Sequence, residues 1–362
     1  MDTANESSGK RSSRRKRSYL GLAVALIVVV GVAWVAIDRS GGNDKSQRSG
    51  TLVTTVSEYK NVETVASVPS GVASASLNTS LGKISPLGVA VDIDLNVYVA
   101  DWYRDVVTKW APGATEGVTV AGGNGRGNAA NQLAGPCGVA VDSERNIYVA
   151  ELNNYRVTKW APGATEGVTV AGGNGAGSDP NQLYYACRVA VDNWRTVYVA
   201  DTYNHRVVRW SADATSGLTV AGGNGRGAEA NQLNTPSGVA RGCCFNVYVA
   251  DSLNHRVMNW AVGAPSGVSV AGAPGAGSAA HQLNTPTSVA VDSSRNIYVA
   301  DWVNHRVQRW APGATSGVTV AGGNGQGAEA NQLNEPTDVW VDASGNIYVA
   351  DSRNGRIQKW SR

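Results

Sequence analysis

Beyond residue 60 the chain alternates short apolar runs with polar, glycine-rich turns, and it does so at a fixed period. In the stretch ending at Trp310 the runs are SVAVD (288–292), NIYVAD (296–301), RVQRW (306–310) and GVTVA (317–321). Each is four to six residues long, rich in Val, Ile, Tyr and Trp, and bounded by turn signals such as Pro312-Gly313. No 3.6-residue apolar period appears in this region, so the pattern predicts strands and no helix. Four short strands make one antiparallel sheet, which cannot bury both its faces alone.

The same block recurs every 50 residues, marked by Trp110, Trp160, Trp210, Trp260, Trp310 and Trp360. A fixed period of this length is the signature of a repeat architecture. Six such sheets arranged radially give an all-β, six-bladed β-propeller over residues 61–362, with the recurring Trp and Tyr packed between blades. The sixth repeat reaches Arg362 after its third strand, while NVETVA at 61–66 echoes the fourth strand of the other repeats. Residues 61–66 are therefore expected to supply the outer strand of the last blade and close the ring.

The apolar pattern of the N-terminal region is different. Leu20 to Ile37 is an uncharged, mostly apolar run. As a helix it would reach about 27 Å, close to the hydrocarbon thickness of a bilayer. This predicts one transmembrane signal anchor at 19–37, a basic cytoplasmic tail at 1–18 and a linker at 38–60, polar and Gly/Ser-rich over 38–51. The positive-inside rule sends the propeller across the membrane. A cleaved signal peptide and secretion is the alternative. Asn78-Thr79-Ser80 would then be a glycosylation sequon in a eukaryotic host.

Charge narrows the function classes. Of the net +3, the tail contributes +4, from six basic residues against Asp2 and Glu6, so the remainder carries −1. A near-neutral propeller outside the cytosol disfavours nucleic-acid binding. Four cysteines are present, none in C-x-x-C spacing. Cys137 and Cys187 occupy equivalent positions in consecutive repeats; Cys243 and Cys244 are vicinal. Free or structural thiols are expected.

The string Y-V-A-D-x-x-N-H-R-V at 198–207, 248–257 and 298–307, preceded by P-x-G-V-A-V-D or close variants, resembles the NHL repeat. The resemblance spans about residues 60–362 and implies the six-bladed fold. It leaves function open, because fold does not determine chemistry. An anchor followed by a propeller is most similar to the extracellular sensor region of membrane-anchored bacterial kinases. The first repeat lacks N-H-R, Glu151 and Tyr155 depart in the second, R-G-C-C-F replaces V-D-x-x-x in the fourth, and Gly355 departs in the last.

Candidate sites follow from what the repeat keeps and what it breaks. His205, His255 and His305 recur at one position, too far apart in neighbouring blades to share a zinc ion, and read as turn residues. Asp201, Asp251 and Asp301, with Arg206, Arg256 and Arg306, read as one ion pair per blade. No cofactor or metal is expected, since the inner strands carry small apolar residues. Arg188 and Asp338 break that pattern in opposite blades, where they would polarise one channel mouth.

Trp102, Tyr103, Tyr184, Tyr185, Tyr203 and Trp302 vary on one face and are expected to be exposed aromatics that engage a protein or peptide partner. The reading is a non-enzymatic extracytoplasmic binding, sensor or adhesion scaffold. The alternatives are a metal-dependent lyase or hydrolase on the same propeller, and an RNA-binding propeller, which the charge disfavours.

Overall fold

The computed structural model describes Tyr59, residues 61–67 and residues 84–362. The expected tail, anchor, sequon and all of the linker except Tyr59 lie outside the described residues. Among those described, no helix is long and apolar enough to cross a membrane.

The described residues form six four-stranded antiparallel sheets. Blade 1 is built from β2 (Pro86–Val91), β3 (Val97–Asp101), β4 (Val106–Trp110) and β5 (Val118–Gly122), in sequence order from the central channel outwards. Blades 2 to 5 repeat this order, with inner strands β6 (Pro136–Val141), β10 (Ala186–Val191), β14 (Pro236–Arg241) and β18 (Pro286–Val291). Blade 6 takes β22 (Pro336–Val341), β23 (Ile347–Asp351) and β24 (Arg356–Ser361) from the end of the chain, and β1 (Asn61–Ser67) from its beginning. Asn61 lies opposite Ser361 and Ser67 opposite Arg356, so the N-terminal strand closes the ring.

Blade contacts are apolar and uniform. Each Trp of the period shares one apolar cluster with the Tyr of the preceding blade: Trp160 with Tyr98, Trp210 with Tyr148, Trp260 with Tyr198, Trp310 with Tyr248 and Trp360 with Tyr298. Trp110 meets Tyr348 across the closure. The glycine after each Trp turn is required by this contact, since a Cβ on Gly167 would lie 2.6 Å from the Trp160 ring.

Polar clamps explain the other recurring letters. Asp201 accepts from the Tyr184 amide at 2.6 Å, from Asn204 at 2.8 Å and from Arg206 Nε at 2.7 Å. Arg206 also donates to the Gln182 carbonyl at 3.2 Å, so the clamp ties the turn after YVAD to the long loop entering its own blade. Asp251–Arg256 and Asp301–Arg306 repeat this pair at 2.8 and 2.7 Å. Burial raises the pKa of each of these carboxyls, against the bonds they accept. In blade 1, Val106 stands where the arginine belongs; Asp101 accepts from the Ser85 and Arg104 amides, each at 3.3 Å, and faces the Arg104 guanidinium at 3.7 Å.

The histidines join blades. His205 Nδ1 accepts from the Thr235 amide, His255 Nδ1 from Thr285 and His305 Nδ1 from Glu335, each at 3.1 Å. Each is held in a left-handed conformation, with φ between 51° and 56°, which turns the ring toward the loop of the next blade. Burial lowers all three imidazole pKa values.

Candidate functional site at the boundary of blades 2 and 3

The turn after YVAD and the loop entering the inner strand of the same blade meet on one face of the ring. The Leu152 amide donates to the Gly135 carbonyl at 3.0 Å, and the Tyr203 amide to the Tyr184 carbonyl at 3.1 Å. The two variable turn positions point in different directions. The first is turned inward: Trp102 is 7% exposed, and Leu152, Thr202 and Ser252 are buried too. Trp102 is thus not the exposed aromatic that the sequence suggested. It lies against Gly135 and Asn153 and forms part of the contact with blade 2. Trp302 is half-buried. The second position faces solvent, with Tyr103 63% exposed and edge-on to Trp102.

The other expected aromatics converge. Tyr184 and Tyr185 on the loop into blade 3 meet Tyr203 on its turn, with ring centroids 5.2 and 4.4 Å apart. Tyr155 joins from blade 2, 5.9 Å from Tyr184. Tyr155 stands where blades 3 to 5 place histidine. The His-to-amide spacing of 30 residues, as in His205 to Thr235, links it to Tyr185 and was the available signal for this contact. Three phenols thus replace the Asn-Thr and His letters at a single blade boundary, and Tyr203 adds a fourth from the variable turn. Tyr184 is 40% exposed, while Tyr155, Tyr185 and Tyr203 are half-buried. Burial and the neighbouring Tyr184 push the Tyr203 phenol up to about 12, so it is neutral at ordinary pH.

Below the cluster the inner strands approach closely around the channel. Their third residues are Gly88, Gly138, Arg188, Gly238, Ser288 and Asp338. A Cβ on Gly138 would lie 2.7 Å from the Cys187 carbonyl, so no larger residue fits there without a shift. Arg188 and Asp338 do not simply polarise a channel mouth. They reach across the axis and pair, with Nε 3.4 Å from Oδ1.

The Arg188 guanidinium also donates to the carbonyls of Cys137 and Leu87, each at 2.7 Å, of Thr337 at 2.6 Å and of Cys187 at 3.2 Å. It is a tethered cation in a ring of backbone oxygens from four blades. Asp338 accepts from the Val89 amide at 2.9 Å and from the Ser288 hydroxyl. A cavity of about 150 Å³ continues along the channel, lined by the inner-strand valines. Among the described residues no group of three or more His, Cys, Asp or Glu is placed to hold a metal ion.

Beside the arginine, Cys137 Sγ lies 2.8 Å from Cys187 Sγ. The Cys137–Cys187 hydrogen bond and the nearby guanidinium, working against burial, bring the Cys187 thiol down to about 7. The same hydrogen bond, reinforced by burial, pushes Cys137 well up.

The family model of the NHL repeat matches residues 283–310 and 333–360, the first three strands of blades 5 and 6. The chain carries NHL repeats. The ring is a six-bladed β-propeller, and its other blades share the four-stranded antiparallel build of these two. No curated protein matches the sequence.

Solved structures match the fold. A protein of unknown function from Bacteroides thetaiotaomicron has a TM-score of 0.60 at 17% identity, over 83% of this chain and 75% of its own. A gluconolactonase from Xanthomonas campestris has a TM-score of 0.57 at 12% identity, over 77% and 86%. A chain of a nidogen/laminin complex has a TM-score of 0.52 at 18% identity, over 66% and 80%. At these identities the likeness is one of fold.

Proposed function

We propose that this protein is a membrane-anchored, non-enzymatic binding module, and that the tyrosine face at the boundary of blades 2 and 3 receives a protein or peptide partner. The observation that carries the reading is the convergence of Tyr155, Tyr184, Tyr185 and Tyr203 at one boundary of an otherwise repetitive ring. Tyrosine offers large, amphipathic contact area at low entropic cost, which suits interface anchors. The chain enters β1 beside Ser361, at the face opposite the tyrosines.

A metal-dependent hydrolase is the contrasting reading. Its ligands would have to come from the channel ring, where Asp338 is the only carboxylate and is already engaged by Arg188. The test is selection of displayed peptides on the full chain in nanodiscs, followed by Tyr184→Ser and Tyr203→Ser. Loss of a hot-spot tyrosine should weaken a selected peptide about 30-fold. Unchanged affinity in both variants would sink the reading. Stoichiometric metal in the purified protein would favour the hydrolase.

A further inference from the structure

The second residue of each inner strand forms a belt of contacts between blades. A register shift between Pro136 and Gly138 makes Cys137 a bulge residue; the same irregularity recurs in four other inner strands, and in blade 3 it widens to Ala186–Val189, taking in Cys187 and Arg188. A bulge re-aims a side chain out of strict alternation, here toward the next blade. Ser237 donates to the Thr287 carbonyl at 3.0 Å, Thr287 to Pro336 at 3.2 Å and Thr337 to Leu87 at 3.1 Å. At the boundary of blades 2 and 3 the belt carries a thiol on each side, with the two sulfurs 2.8 Å apart. This is the one place in the belt where the contact between blades can become covalent.

We propose that Cys137 and Cys187 form a reversible disulfide that clips blades 2 and 3 together beneath the tyrosine cluster, with a low-molecular-weight disulfide as the oxidant. The sulfurs need to approach by less than about 1 Å to reach bonding distance near 2.0 Å. Cys187 is the partly exposed member and Cys137 the buried one, which orders the steps. The Cys187 thiolate attacks one sulfur of the oxidant, expels a thiolate and forms a mixed disulfide. Cys137 then loses its proton and attacks Cys187 Sγ, expelling the second small thiolate. Two electrons pass from the protein to the oxidant, and one disulfide becomes two small thiols. The Arg188 guanidinium, with Nη1 3.1 Å from Cys137 Sγ, favours the thiolate form through which each step passes. The proposal stands independently of the binding reading.

The test uses the full chain, incubated with oxidised glutathione, then denatured, alkylated and digested. The expected product is one intramolecular peptide pair linking Cys137 to Cys187, two hydrogens lighter than the sum and released by dithiothreitol. Its formation rate should rise with pH around 7. Cys137→Ser should trap the Cys187–glutathione adduct. If that variant does not fold, a transient adduct in the wild-type time course reports the same step. Full alkylation of both cysteines after oxidation, a stable Cys187 adduct in the wild type, or a link between two chains would each overturn the proposal.

Discussion

Replacing Arg188 by Met removes the cation from a buried pair while keeping much of its aliphatic volume. Arg188 is 6% and Asp338 5% exposed, so solvent screens the pair little. At 3.4 Å and an effective dielectric of about 20, the gross attraction is about 5 kcal/mol. The substitution also strips donors from the carbonyls of Leu87, Cys137 and Thr337. Asp338 keeps the Val89 amide and the Ser288 hydroxyl but loses its counter-charge. Leaving one charge of a buried pair uncompensated costs about 3–5 kcal/mol, and that is the expected loss for R188M.

The double variant R188M/D338N removes both charges and should recover about 2 kcal/mol relative to the sum of the single variants. The assay is guanidinium unfolding of the full chain followed by tryptophan fluorescence, since the blade-boundary tryptophans report ring opening. A cost below about 1 kcal/mol for R188M, or strict additivity in the double variant, would refute the claim that this pair ties opposite blades together.

Three further outcomes follow from the same contacts. Because burial lowers the pKa of His205, His255 and His305, their stabilising contribution is present above the unfolded value near 6.5. It is lost as pH falls through the folded values, so the unfolding midpoint should drop in that range, and a triple His→Asn variant should flatten the dependence. Val106→Arg supplies the close guanidinium of the other blades, where Asp101 has only Arg104 at 3.7 Å; it should raise the unfolding free energy by about 1–3 kcal/mol, and no gain would contradict the clamp. A chain beginning at Gly71 removes β1 from blade 6 and should lose cooperative thermal unfolding by calorimetry; an unchanged transition would contradict ring closure.

Much of the architecture was legible because the period does the work. Trp at every fiftieth position, strand-length apolar runs and the echo at 61–66 were enough to place blades, strand order and closure. The same regularity identified Arg188 and Asp338 as facing residues. It could not tell that they touch, because contact across the ring depends on how far an arginine reaches past three glycines. It also misassigned Trp102. Two adjacent variable turn residues look alike in sequence, and only the packed ring shows that Trp102 is buried and Tyr103 exposed. Tyr155 was visible as a break in the repeat, and the 30-residue spacing points from it to the 184–185 loop, but its ring contact is with Tyr184 and depends on how two loops from different blades come together. The two cysteines are likewise 50 residues apart in sequence, and the bulge that turns one toward the other leaves no compositional mark.

The central claim is that what distinguishes this ring lies where the repeat is broken. It is tested by rewriting the boundary of blades 2 and 3 in the repeat's own letters, with Tyr155→His, Tyr184→Asn and Tyr185→Thr. This combination supplies the histidine-to-amide contact found in blades 3 to 5, so the fold should be kept or strengthened. The decisive measurement is the dissociation constant of a peptide selected on the wild type, taken on both proteins in nanodiscs. The account predicts a loss of at least about 30-fold with the unfolding midpoint preserved. Undiminished binding by the rewritten ring would contradict it.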